Sequence, residues 1–198
     1  MQSANAVRID SHAVATLRYI RASMDAAASV AVPGSAGIAM GSIGLLAMVI
    51  SSTSGMREYW LVTWLISAAL GGGVGFALMT RPASLRGLLL YGTPLRKFAM
   101  CLLPALFGGA VMTVLHWTSG NLHAIPGTWL LLYGCALISA SVAATRTIAI
   151  MGAAFVAFGL LTLFLPDRAQ IPMLGAGFGG LHFLFGILIG RTRHERQI

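Results

Sequence analysis

The chain has 198 residues, 57% of them hydrophobic and only 9% charged, with a mean hydropathy of +0.83. A water-soluble domain carries roughly a quarter charged residues, so a soluble enzyme or binding domain is excluded; six spans of about 20 residues would use about 120 residues and leave only short connections. The net charge of +8 does not denote nucleic-acid binding, because the basic residues sit between apolar runs instead of gathering on one polar face.

In chain order, residues 1–34 read as a cytoplasmic tail. Residues 1–30 hold Arg8, Arg18 and Arg21 but no apolar stretch of signal-peptide type. Within them, 11–30 have the pattern of a short amphipathic helix. Ser11 is placed to cap it, and Val14, Leu17, Ile20, Met24 and Ala28 recur at helical spacing while Arg18, Arg21 and Asp25 take other positions. That stripe suits a helix lying on the membrane interface; a short solvated helix packed on the bundle is the alternative. Val32, Pro33 and Gly34 then turn the chain into the membrane.

Six apolar runs follow, at about 35–53, 59–79, 98–118, 127–145, 147–165 and 172–190, each bounded by charge, proline or a polar cluster. The fold expected is all-α: a polytopic membrane protein of six transmembrane helices over 35–190, preceded by the interfacial helix and followed by a basic tail at 191–198. Residues 83–95 read as a second interfacial piece ended by Gly92, Thr93 and Pro94. The fourth and fifth runs form a tight hairpin around Arg146, which can snorkel to the interface. Both cysteines, Cys101 and Cys135, fall inside runs, with neither disulfide nor zinc spacing.

Charge sets the expected orientation. Arg8, Arg18, Arg21, Arg81, Arg86, Arg96, Lys97, Arg146, Arg191, Arg193 and Arg196 fall on one side and only Arg57 and Arg168 on the other. Eleven against two places the first side, with both termini, in the cytoplasm of a bacterial cell. The four tryptophans, Trp60, Trp64, Trp117 and Trp129, all fall near the outer ends of their runs, as an aromatic belt would.

Glycines are patterned within this frame. Gly34, Gly37, Gly41 and Gly44 share one face of the first span, Gly71 and Gly75 one face of the second, and Gly175, Gly179, Gly186 and Gly190 form a stripe on the sixth. Faces without side chains let helices approach closely and pack by dispersion, within the bundle or across a homodimer. A glycine-lined substrate path is the sharper reading. At 100° per residue His182 falls on the sixth span's glycine face, near mid-membrane, with no charge nearby in sequence. Polar groups at that depth turn inward and mark candidate sites. As a structural group His182 would bond a serine, threonine or carbonyl on a facing helix, with Ser67, Ser139, Ser141 and Thr162 as candidates. As a functional group it would relay protons, ligate a metal or haem, or touch substrate.

Chemistry is otherwise thinly supplied. His116 and His123 flank the outer end of the third span, away in depth from His182, and no paired ligand spacing occurs, so neither metal nor cofactor is expected. The five acids, Asp10, Asp25, Glu58, Asp167 and Glu195, lie outside the expected spans. Intramembrane acid–base work normally uses buried carboxylates, so no catalytic residue is assigned.

Three stretches carry a resemblance: residues 31–41 (AVPGSAGIAMG), residues 131–134 (LLYG) with Met151 and Gly152, and residues 177–186 (GFGGLHFLFG). They resemble a group of uncharacterised bacterial six-transmembrane-helix proteins with no assigned activity. The chain departs from that pattern in the 83–95 loop and after Gly190. The likeness implies the six-span topology and makes His182 part of a shared pattern. The function expected is a non-enzymatic structural, sensory or accessory component of the bacterial inner membrane, in contact with lipid and with a second copy or a protein partner. A permease-like subunit for a small solute is the alternative, and a membrane enzyme or redox protein using His182 the third reading.

Overall fold

A lipid-embedded backbone has no water to bond, so each crossing segment must satisfy its amides internally, and a helix does so within one segment. The computed structural model of the protein describes Val14, Thr16, Leu17, residues 32–85 and residues 93–194. Among these residues it holds six helices long and apolar enough to cross a membrane. The protein is an all-α, multi-pass membrane protein.

Helix α1 spans Gly34–Ser52 and follows the extended Pro33. A single 3-10 turn at Arg57–Tyr59 leads into α2, Trp60–Leu85. Helix α3 spans Thr93–Thr118 and starts one turn before the apolar run, with Pro94 at a first-turn position where its missing N–H costs nothing. The α2 helix likewise continues through Pro82 instead of ending at 79. Residues 83–95 therefore contribute their ends to two long helices, and no separate interfacial helix stands among the described residues. Most of the expected helix at 11–30 lies outside the described residues; Val14, Thr16 and Leu17 are helical and exposed.

Helix α4 spans Ala124–Ala140 and tightens into a 3-10 turn at Ser141–Ala143; α5 spans Arg146–Phe164. The sixth crossing has three parts: α6 at Asp167–Leu174, a π-helical stretch at Gly175–Leu181, and α7 at His182–His194. Gly120, with φ of 71°, closes α3 in the left-handed region, where a glycine cap carries no Cβ penalty.

Two pairs of helices meet backbone to backbone. The α1 glycines face the sixth crossing: a Cβ on Gly34 would lie 2.4 Å from Gly186 O, one on Gly41 2.5 Å from Phe183 N, and one on Gly44 2.8 Å from Gly179 N. The second pair was not foreseen. Gly134 on α4 and Gly152 and Gly159 on α5 approach equally closely, with a Cβ on Gly159 falling 2.4 Å from Leu131 N. Around these seams sits the core, including Leu130, Ala140 and Phe155, all fully buried.

The other two helices hang on the flanks. The α2 helix packs chiefly on α1 and α3 chiefly on α4, with no substantial contact between them. Trp129 on α4 donates its indole N–H to Thr113 Oγ1 on α3 at 2.8 Å. Thr113→Val is expected to cost about 1–3 kcal/mol by leaving that donor unpaired, read as a lower melting temperature in detergent; an unchanged melt would show that the bond does not hold α3.

Candidate functional site

The site starts from the π-helical stretch. A π turn takes one extra residue per turn, so angular positions counted at α-helical pitch slip across it. Gly175, Gly179 and Gly186 have α1 as their neighbour: Met48 for Gly175, Leu45 for Gly179 and Ile38 for Gly186. The His182 ring turns the other way, to Tyr133 on α4 and Phe155 on α5. The His182 backbone stays beside the glycine seam, its carbonyl facing Gly37, while its ring points to the α4 and α5 side.

His182 is 4% exposed. Its Nδ1 lies 3.0 Å from the Phe178 carbonyl and its Nε2 2.8 Å from Tyr133 Oη. A carbonyl only accepts, so Nδ1 carries the proton and donates to Phe178; Nε2 is then the acceptor, and the Tyr133 hydroxyl donates to it. The backbone N–H of His182 bonds the Gly179 carbonyl, which leaves the Phe178 oxygen available to the ring. In its neutral form the histidine is thus held in one tautomer, with both nitrogens engaged.

None of its expected partners takes part. Thr162 is fully buried, but its hydroxyl bonds the Phe158 carbonyl. Ser141 bonds the Ile138 carbonyl, Ser139 is exposed, and Ser67 lines a cavity wall. Helical serines and threonines turn back on their own carbonyls when nothing polar faces them. Tyr133, missed as a partner, was legible as a polar tip in the middle of an apolar run.

Aromatic rings enclose the pair. Phe155 stands edge-on to both, 4.9 Å from Tyr133 and 5.2 Å from His182 between centroids. Phe178 lies 5.1 Å from Tyr133 and 6.3 Å from Trp64. Trp64 faces the bundle: it is 9% exposed, and its indole N–H has no partner.

Beside this cluster a cavity of about 190 Å³ opens between the flanking helices. Met40 and Gly44 of α1, Leu65, Ala68 and Gly72 of α2, Leu106 of α3, and Tyr133, Phe178 and His182 line it. Gly71, expected to pack against a helix, instead borders this cavity, and a Cβ there would meet nothing within 4 Å. Gly75 meets only the Met40 side chain, and Gly190 likewise has open space before it. Of the expected packing glycines, Gly37, Gly41, Gly179 and Gly186 meet backbone or near-backbone atoms of a facing helix, and Gly175 meets Met48.

A second, more polar cleft of about 680 Å³ lies at one end of the bundle, lined by Arg57, Trp60, His123, Asp167 and Arg168 among others. His123 Nδ1 pairs with Asp167. Gln170, 5% exposed, donates to the Thr162 and Leu165 carbonyls at 3.0 Å each, which ties the start of α6 to the end of α5. His116 lies 3.3 Å from Thr128. No group of three histidine, cysteine, aspartate or glutamate side chains able to hold a metal occurs among the described residues. Of the resemblance to bacterial six-span proteins, the six crossings are what the structure carries. Compared with known proteins, the chain matches no protein family, no curated protein and no solved structure, so its function rests on its own geometry.

Proposed function

We propose that this protein is a non-enzymatic structural or accessory component of the bacterial cytoplasmic membrane, with both termini in the cytoplasm and the segment before α1 lying on the inner interface. The observation that carries this reading is the seating of α1 against the π stretch and α7, backbone on backbone. Alternating access requires helices to rock or slide, and faces that interlock without side chains leave no slack for that. The polar centre supports the same reading. Both nitrogens of His182 are engaged in linking the sixth crossing to α4, and no described carboxylate touches the pair. With the α1 glycines used inside the chain, a partner would meet the exposed apolar faces of α2 and α3, such as Leu70 and Phe107.

Affinity purification from native membranes tests the role. A partner protein at fixed stoichiometry is expected; recovery of the chain alone, carrying only lipid, would remove the accessory role. Topology is tested with Ser119→Cys and Arg191→Cys, each in a background lacking Cys101 and Cys135. An impermeant maleimide applied to whole cells is expected to label position 119 and spare 191. The reverse pattern would invert the orientation.

A further inference from the structure

Charge asymmetry leaves Arg57 and Arg168 as the two basic residues on the sparsely charged side of the bundle. They are far apart in sequence, yet both line the second cleft. Both are exposed, and neither makes an ion pair with a described carboxylate. Asp167, the carboxylate of that cleft, is engaged by His123, and Glu58, the neighbour of Arg57, does not line it. The cleft thus has two guanidiniums without a carboxylate partner and one carboxylate hydrogen-bonded by a histidine.

Trp60 lines both this cleft and the apolar cavity beneath it. The lower space, about 190 Å³, exceeds the roughly 150 Å³ that accepts a benzene molecule in an apolar core. It borders the gap between α2 and α3, which do not pack on one another. One wall residue, Trp64, is more than nine-tenths buried and keeps an indole N–H without a partner.

From this arrangement we infer that the two spaces form one binding site for an anionic phospholipid. The phosphate lies between Arg57 and Arg168, the glycerol region passes Trp60, and one acyl chain enters between α2 and α3. Guanidinium is suited to phosphate because its fork of donors matches two oxygens at once. The ester oxygens below the phosphate are acceptors of the kind the Trp64 N–H lacks. Lipid tails are as apolar as the cavity wall, so filling the cavity provides little discrimination; selection among lipids lies with the arginines. The site goes beyond a structural or accessory role, and its geometry is the same whichever leaflet it faces.

The test uses the full chain in nanodiscs of equal parts phosphatidylglycerol and phosphatidylcholine, with retained lipids counted by native mass spectrometry after transfer to detergent. Phosphatidylglycerol is expected to be retained at least tenfold over phosphatidylcholine. The double variant Arg57→Gln with Arg168→Gln is expected to lose that preference at an unchanged melting temperature. Gly72→Leu, which fills the cavity from a position with open space before it, is expected to lower retention with both arginines intact. Equal retention of the two lipids overturns the inference, as does wild-type retention in the arginine variant or in Gly72→Leu. Full displacement of the lipid by inorganic phosphate at matched ionic strength also overturns it, since the cleft would then be a free-phosphate site.

Discussion

Gly41→Leu is expected to abolish the folded monomer, whereas Gly73→Ala, a glycine of the same sequence character, is expected to leave it intact. At Gly41 even a Cβ would fall 2.5 Å from Phe183 N and 2.8 Å from Gly179 O. Those are backbone atoms of the facing helix and no rotamer change moves them. Overpacking typically costs about 1–3 kcal/mol where side chains can adjust; a clash that forces two helices apart along a whole seam belongs at or above that range. Alanine at Gly73 meets nothing within 4 Å and gains about 1 kcal/mol of helix propensity. Size-exclusion profiles and thermal melts in detergent separate the two outcomes. A stable, monodisperse Gly41→Leu protein would show that the α1 seam is not what holds the bundle.

His182→Ala is the second large effect, expected to cost about 3 kcal/mol, near the low end for removing a large buried ring. Two terms contribute and their sizes differ. Interhelical hydrogen bonds in membrane proteins average about 0.6 kcal/mol and reach about 1.7 in double-mutant cycles. Ring packing against Phe155, Phe178 and Tyr133 therefore supplies the larger share. Tyr133→Phe keeps the ring and removes the donor to Nε2, so its cost is expected near 1 kcal/mol. The cycle built from Tyr133→Phe, His182→Phe and the double variant reads the bond itself. A coupling energy of zero would mean that the two side chains are neighbours without a bond. A His182→Ala melt equal to wild type would remove the packing role altogether.

The two substitutions also mark where one-dimensional reading reaches its end. Composition and apolar run length determine six crossings, because a 20-residue stretch without charge has one low-energy option in lipid and an unpaired backbone has none. The glycine face of α1 was equally legible: its spacing is periodic, and a straight helix preserves periodicity. Gly134 stands alone on α4, and Gly152 and Gly159 share a face of α5 only as a pair seven positions apart, so their common seam emerges only when α4 and α5 lie side by side. The same limit explains Gly71 and Gly75, which share a helical face in sequence while the tertiary arrangement sets nothing but a cavity and one methionine before them.

Six helices long and apolar enough to cross a membrane, and a lone histidine within the sixth, were thus determined by the sequence alone. The tertiary structure decided what that histidine touches. The π-helical stretch breaks the α-helical angular count just before it, and no local pattern in a run of glycines announces that break. The His182 backbone borders the α1 seam, its carbonyl facing Gly37, while its ring reaches Tyr133, 49 positions earlier in the chain. Folding likewise brought Arg57 and Arg168 to one cleft, because side-by-side placement of helix ends depends on which helices pack, not on their order.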